Sequence, residues 1–238
     1  MRFLDPSGCY EVSRDCYETY TQGQYYAINT NIYAYLREMI MTIRFDPGEK
    51  LVESAIAEKL NVSRSPVKQA IQQLVEEGLV VRQSSKTAIV APIEYNDCLM
   101  LMNARKGIEG QGAYEAAKQI TDEELNALKS FLLRLKKPAD YPMEEYARIH
   151  SAFNMTIMKA SRNHYLLDAY KKIDSAMFRY NLYIFKQWSL QNFREYNHHF
   201  PIYHALKNHS SAQAKLETLA AIEGMVAGLF FLLPHTEI

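Results

Sequence analysis

The apolar positions of residues 51–91 predict two short helices followed by a β-hairpin. Ile56 and Leu60 lie one turn apart, which indicates an amphipathic first helix over residues 51–60. Residues 79–82 and 88–90 are short apolar runs typical of strands. The polar residues between these two runs place Lys86 at the tip of the predicted hairpin.

The second helix of this segment separates an apolar face from a polar one. Ser65 is a good N-cap, and Pro66 suits the first helical position, where its missing N–H is not needed. The apolar positions at helical spacing are Val67, Ile71 and Leu74. Gly78 ends the helix, and Lys68 and Gln69 remain on its polar face. Helix, turn, helix and hairpin in this order predict a winged helix-turn-helix.

Charge favours a DNA-binding role for this segment over a purely structural one. Within residues 59–90 the cations outnumber the acidic residues Glu76 and Glu77. These cations are Lys59, Arg64, Lys68, Arg82 and Lys86. They fall at the start of the second helix and in the wing, where such motifs contact phosphates and base edges. We therefore expect DNA contacts from Ser63, Arg64, Ser65, Lys68, Gln69 and Lys86.

Three motifs carry a resemblance to GntR-type bacterial transcription regulators. They are Pro47-Gly48-Glu49-Lys50-Leu51, Val62-Ser63-Arg64-Ser65-Pro66-Val67-Lys68-Gln69-Ala70 and Glu77-Gly78-Leu79-Val80. Members of this family usually carry arginine in place of Lys68 and glutamate in place of Gln69. They often have glycine at the wing tip, where this chain has Lys86-Thr87. Because lysine cannot form the bidentate fork to guanine, we expect Lys68 to contact phosphate.

The segments before the motif are assigned from their patterns. Residues 1–24 show no clear period and are predicted to be an extension, either an arm against a partner subunit or a leader. Apolar positions at helical spacing from Ile28 to Ile40 predict a helix within residues 27–43 that packs against the helix-turn-helix. Residues 25–92 are thus predicted to form the DNA-binding domain.

Residues 97–234 are predicted to form an all-helical domain for effector binding and dimerisation. We expect helices at residues 97–118, 122–136, 143–161, 164–187, 190–207 and 211–233. Thr121 and Glu124 form a capping-box signature, and Pro201 predicts a kink in the fifth helix. The expected fold is mainly α, with an N-terminal winged helix-turn-helix followed by an all-α antiparallel helical bundle.

This C-terminal part resembles the FadR-like branch of the GntR family, which carries an FCD domain, and its helix count fits the VanR-like type. Arg105 and Glu109 match an Arg-x-x-x-Glu in the first helix, Phe153 and Ala160-Ser161 match positions on the third, and His199 matches a position on the fifth. The resemblance implies a transcription regulator that responds to a small molecule. Such a regulator would be a repressor that binds a palindromic DNA operator as a homodimer.

The branch's metal site is altered in this chain. Many members hold a divalent metal with an aspartate, a histidine four residues later and two further histidines. By the resemblance, those positions are His150, Asn154, His199 and Ala221. His150 and His199 are weak candidates for binding a transition metal, with water or ligand atoms completing the shell. The alternative is that they form hydrogen bonds in a polar pocket, and we expect this alternative, with no metal or other cofactor.

The expected effector site has a polar floor made of Arg105, His150, Asn154 and His199. The aromatic candidates beside it are Phe153, Tyr180 and Tyr183. Arg105 could hold a carboxylate through two hydrogen bonds, which indicates a small organic acid as effector. It could equally be bound by Glu109, one helical turn away.

Composition narrows the class of protein. The chain has 238 residues, 48% of them hydrophobic, with 27 cationic and 27 acidic side chains, so any DNA affinity must come from a local patch. Its three cysteines, Cys9, Cys16 and Cys98, lack metal-type spacing and are expected to be free thiols. With no signal-peptide pattern and only a short apolar run at residues 226–233, we expect a cytoplasmic protein that does not bind a membrane.

An enzyme is not expected, because no nucleophile motif, phosphate-binding glycine loop or zinc-protease signature is present in the sequence. The alternative to a regulator is a ligand-binding or scaffolding dimer whose DNA-binding domain is degenerate. Lys68, Gln69 and a wing without glycine suggest that alternative.

Overall fold

The computed structural model describes residues 32–84, 87–187 and 198–232. The predicted extension at residues 1–24 and the wing-tip residue Lys86 lie outside this range. The described chain divides into two compact units. The first holds the residues up to Ile40 together with Arg44–Pro92, and the second holds Met41–Ile43 and the chain from Ile93 onward.

The first unit contains three helices and a small antiparallel sheet among its described residues. The helices are α1 (Ile32–Met41), α2 (Glu53–Leu60) and α3 (Arg64–Glu76), and the strands are β1 (Lys50–Leu51), β2 (Val80–Arg82) and β3 (Ala88–Val90). The strand order is β1-β3-β2, with Lys50 opposite Ile89 and Val80 opposite Val90. This is the winged helix-turn-helix that the sequence predicts, with one additional strand.

The additional strand corrects the predicted start of the first motif helix. Leu51 pairs with Ala88 in the sheet, and Val52 is still extended, so α2 begins at Glu53 and not at residue 51. A strand of two residues is too short to show an alternating pattern, and only its pairing with β3 reveals it.

The core of the first unit is built from the apolar faces that the helical spacing predicts. The fully buried side chains of α1 and α3 are Leu36, Ile40, Val67, Ile71 and Leu74. Glu77, just after α3, accepts hydrogen bonds from the Tyr33 hydroxyl and from Arg37 Nε, the latter over 3.0 Å. These contacts hold α1 against the end of α3. The helix α1 ends at Met41, before the predicted residue 43, because Ile43 adopts a left-handed conformation with φ 54°.

The second unit is helical across its described residues. Its helices are α4 (Tyr95–Ala116), α5 (Asp122–Leu135), α6 (Met143–Ala160), α7 (His164–Gln187), α8 (His199–Lys207) and α9 (Ser211–Leu232). The long helix α4 packs against α6, α7 and α9, and α8 packs against α9 and α5. The mainly α-helical fold class is therefore confirmed.

Two local predictions in the second unit have opposite outcomes. The capping box at the start of α5 is confirmed, since Thr121 Oγ1 accepts from the N–H of Glu124 and the Glu124 carboxylate accepts from the N–H of Thr121. The single helix predicted over residues 190–207 is wrong, because residue 198 lies in a turn and α8 begins at His199. Residues 190–197 lie outside the described ranges. The kink predicted at Pro201 assumed the longer helix, whereas in α8 this proline lies in the first turn, where no backbone donor is needed.

The length and apolar character of the described helices bear on whether one could cross a membrane. Although α9 is rich in apolar residues, no helix in the described ranges is long and apolar enough to span a bilayer.

In the second unit, Cys98 is a buried free thiol, and burial raises its pKa to about 12.

Candidate DNA-binding surface and ligand pocket

The exposed face of α3 is the candidate DNA-binding surface. Ser63 is extended, with φ −72° and ψ 161°, and acts as the N-cap, so the helix begins at Arg64. This corrects the predicted N-cap at Ser65, which lies in the first turn with Pro66. Burial of Val67 and Ala70 turns the opposite face toward solvent. The predicted DNA contacts on that exposed face are Ser63, Arg64, Ser65, Lys68 and Gln69.

Arg64 is the most prominent cation of this surface. Its side chain is 71% exposed and lies at the first helical position of α3. The nearest carboxylate is Glu53 on α2, at 3.9 Å from Nη2. An exposed ion pair of this length contributes little free energy, so a DNA phosphate or guanine edge can replace Glu53 at small cost.

Lys68 lies one helical turn after Arg64 and is also exposed. Both cations belong to the N-terminal half of α3, where the exposed N–H groups of the first turn add a positive field. The hairpin beside the helix is closed by Gln83, whose N–H donates to the Thr87 carbonyl over 3.0 Å, and by Thr87, whose N–H donates to Ser84 Oγ over 3.2 Å. The exposed cations of α3 thus lie beside a hairpin whose turn is held by backbone and side-chain hydrogen bonds.

The four residues predicted for the effector site line one small cavity in the second unit. The lining residues are Arg105, Glu109, His150, Asn154, Ile157, Met158, His199, Ile202, Thr218, Ala221 and Ile222. They come from α4, α6, α8 and α9. The free volume is about 20 Å³, which is room for about one water molecule. A larger ligand would have to displace lining side chains.

The aromatic candidates do not line this cavity. Phe153 lies behind the histidines, with its ring centroid 5.0 Å from that of His199. The Tyr180 hydroxyl donates to Asp97, which fixes it on another side of α7. Tyr183 is also absent from the cavity lining. Helical spacing identifies inward-facing positions, but it does not tell which of several interior spaces each one meets.

The two histidines form a buried pair. His150 and His199 are 2% and 5% exposed, and their rings meet edge to face with centroids 4.9 Å apart. Burial, aided by the neighbouring His199 and Arg105, lowers the pKa of His150 well below its usual value. Burial, aided by His198 and Arg105, lowers the pKa of His199 to about 3. Both imidazoles are therefore neutral at physiological pH.

Arg105 is held by two neighbours on α4, Glu109 and Met102. Its Nε donates to Glu109 Oε1 over 2.5 Å, Nη2 donates to Glu109 Oε2 over 3.3 Å, and Nη1 contacts Met102 Sδ at 3.2 Å. Both side chains of the ion pair are buried. Of the two partners that the sequence left open for Arg105, the structure shows Glu109. The i, i+4 spacing was the available signal that Glu109 also lines the site.

The donor set of the pocket does not fit a divalent metal site. The pocket offers two imidazoles and the Asn154 amide, and its carboxylate, Glu109, is already bound to Arg105. Within the described ranges, no group of three or more histidine, cysteine, aspartate or glutamate side chains is placed to hold a metal ion. Ala221 lines the cavity without offering a side-chain ligand.

Two family models match this chain. Residues 28–90 match the model of bacterial regulatory proteins of the gntR family, and residues 100–224 match the FCD domain. The first match contains the helix-turn-helix with α3. The second contains every residue that lines the cavity.

Curated relatives are named as transcription regulators. The Nta operon transcriptional regulator of Aminobacter aminovorans is 27% identical over 57% of this chain, and the chain spans 64% of that protein, which is less than two thirds. The repressor GlaR of Escherichia coli is 29% identical over 62% of this chain and 70% of its own length. The regulator LutR of Bacillus subtilis is 28% identical over 81% of this chain and 98% of its own length.

Solved structures share the fold. McbR/YncC of Escherichia coli superimposes with a TM-score of 0.68 at 17% identity, covering 85% of this chain and 96% of that one. A GntR transcriptional regulator from Rhodococcus sp. RHA1 gives a TM-score of 0.70 at 18% identity, covering 87% and 100%. At these identities the likeness concerns the fold alone.

Proposed function

Because this chain belongs to the GntR family of bacterial regulatory proteins, in the branch that carries an FCD domain, we propose that it binds a specific DNA operator under the control of a small molecule. The observation that carries the proposal is the exposed polar face of α3, with Arg64 at its first helical position and Lys68 one turn later. The protein would act as a regulator in the cytoplasm, not as an enzyme.

The N-terminal part of α3 would be the protein element that contacts the bases of the operator. In helix-turn-helix proteins this part of the second helix enters the major groove. Arg64 can form two hydrogen bonds with guanine, and Ser63, Ser65 and Lys68 suit phosphate contacts. Gln69 can reach a base edge from the next turn. Lys86, whose position in the wing follows from the sequence, would contact the backbone beside the groove.

A two-fold assembly would present two such helices to one operator. A palindromic site is matched by a symmetric dimer, and the half-site spacing follows the distance between the two recognition helices. We propose that the helical second unit carries the dimer contact. The dimer would repress transcription until a ligand in the pocket favours another spacing of the DNA-binding units, which requires different ligand affinities in the two arrangements.

Selection of genomic DNA tests this function. Purified protein is incubated with fragmented genomic DNA of its host, and bound fragments are sequenced. We expect an enriched palindrome with half-sites about one helical turn apart or less. Sedimentation of the complex should give two chains per site. Binding without any enriched sequence would instead support the scaffolding dimer with a degenerate DNA-binding domain, and a monomer both with and without DNA would contradict the symmetric operator.

A further inference from the structure

The charges that line the ligand pocket cancel within the pocket. Arg105 supplies the cationic side chain of the lining and Glu109 supplies the anionic one, and they are bonded to each other. The remaining polar lining side chains are His150, Asn154, His199 and Thr218. Asparagine and threonine carry no charge, and the two buried histidines are neutral. A ligand therefore meets hydrogen-bonding groups without a net charge.

The ion pair disfavours a carboxylate ligand in two ways. Arg105 contacts Glu109 through Nε and Nη2 and Met102 through Nη1, so a second carboxylate would either displace Glu109 or share the guanidinium with it. Displacing Glu109 would leave a buried carboxylate without its cation, which is strongly unfavourable. Keeping Glu109 in place would put two anions side by side in a medium of low dielectric constant.

A neutral polar group is matched well by the same lining. Asn181 Nδ2 lies 3.5 Å from His150 Nδ1. Because the neutral imidazole has one donor and one acceptor nitrogen, His150 Nε2 is left to donate or to accept, according to the tautomer. The Thr218 hydroxyl donates to the Ala214 carbonyl over 2.9 Å, so its oxygen can still accept. The Asn154 amide offers both a donor and an acceptor.

From this lining we propose that the pocket binds a small, uncharged, hydrogen-bonding molecule such as an amide or an alcohol, and that Glu109 excludes carboxylates by neutralising Arg105. This inference rests on the proposed role of the pocket as the effector site. It departs from the organic acid that the sequence suggests, because that expectation assumed Arg105 to be available. The ligand would replace the water that the cavity can hold and displace Met158, whose unbranched side chain adapts readily.

Acetamide and acetate test the inference because they share a shape and differ in charge. The protein is labelled with [13C]methyl methionine, and the Met158 signal, assigned with Met158→Leu, reports on the cavity. The exposed Met100 serves as the internal reference. Sodium acetate is compared with sodium chloride at equal ionic strength. We expect acetamide to shift the wild-type Met158 signal in a saturable way, and acetate to leave it unchanged.

The variant Glu109→Gln should reverse this preference. With Arg105 no longer neutralised, acetate should bind at least about ten-fold more tightly than to the wild type, since a charge-assisted hydrogen bond is then available. The control is Glu115→Gln, on the same helix, where the carboxylate is bonded to Gln111 and Asn163 and not to a cation. It should behave like the wild type.

Three results would overturn the inference. They are a wild-type response to acetate equal to or stronger than that to acetamide, a folded wild type that responds to neither probe, and a folded Glu109→Gln variant without increased acetate affinity. The comparison of the two probes on the wild type stands even where Glu109→Gln does not fold. Wild-type protein that binds its operator and still fails this test would refute only the ligand class. Loss of specific DNA binding would refute the proposed function instead.

Discussion

At the scale of single residues, the second unit depends on histidines that stay uncharged. His150 and His199 are buried against each other and against the rings of Phe185 and Phe153. The unfolded chain exposes both imidazoles to water and lets them take up protons near pH 6.5. In the native state both histidines stay unprotonated near that pH, because burial lowers their pKa.

Folding stability should therefore fall as the pH drops below about 6.5. In that range the unfolded state binds more protons than the native state, so each buried histidine costs up to about 1.4 kcal/mol per pH unit until its native pKa is reached. Urea unfolding between pH 7.5 and pH 5 measures the slope. His199→Phe, which removes one of these sites, should flatten it. His204→Phe, at an exposed position of the same helix, should not. Equal slopes for His199→Phe and wild type would show that His199 is protonated in the native protein.

At the scale of elements, a long apolar period supports several of the predictions that succeeded, and the failures concern where elements begin and a strand of two residues. The helices α3, α5, α6 and α7 follow from apolar residues that repeat over several turns. The strand β1 is recognised only by its pairing with β3. The N-cap of α3 is Ser63 and not the predicted Ser65, because several polar residues at that point satisfy the N-cap preference for serine and other small polar residues. Helix ends depend on backbone angles that the sequence constrains weakly.

The two N-caps differ in a measurable way. Thr121 accepts a hydrogen bond from Glu124, whose carboxylate also accepts from Arg162 Nη1 over 2.5 Å, whereas Ser63 caps α3 without a side-chain hydrogen bond. Thr121→Ala should lower the free energy of unfolding by about 1 kcal/mol. Ser63→Ala should lower it by clearly less. Chemical denaturation of both variants tests this, and equal losses would mean that the hydrogen-bonded Thr121 cap stabilises its helix no more than the Ser63 cap does.

The same limits apply to the ligand pocket. Positions inferred from the resemblance placed Arg105, His150, Asn154 and His199 together, and the structure finds all four around one cavity. The sequence could not decide whether Arg105 pairs with Glu109 or is available to a ligand, because an i, i+4 spacing permits an ion pair without requiring it. Burial of both side chains decides the question, since an unpaired charge at that depth would be costly.

At the scale of the whole molecule, we propose a separate task for each unit, DNA binding for the first and ligand binding for the second. The total charge is neutral, so DNA affinity would have to come from a local surface. The first unit exposes the cations of α3, and the second unit surrounds a small polar cavity. Linking the two tasks requires an assembly whose geometry a ligand can alter. The symmetric operator and the paired chains are thus parts of one proposal.

The central claim is that the exposed face of α3 reads DNA, and the operator affinity of Arg64→Ala tests it most directly. Fluorescence anisotropy with the selected operator, at one fixed salt concentration, compares this variant with wild type and with Lys129→Ala, an exposed cation of the second unit. We predict that Arg64→Ala weakens binding about 10- to 100-fold, the loss typical of an arginine that contacts a guanine edge. Lys129→Ala should bind like wild type. Unchanged operator affinity in Arg64→Ala would contradict the account.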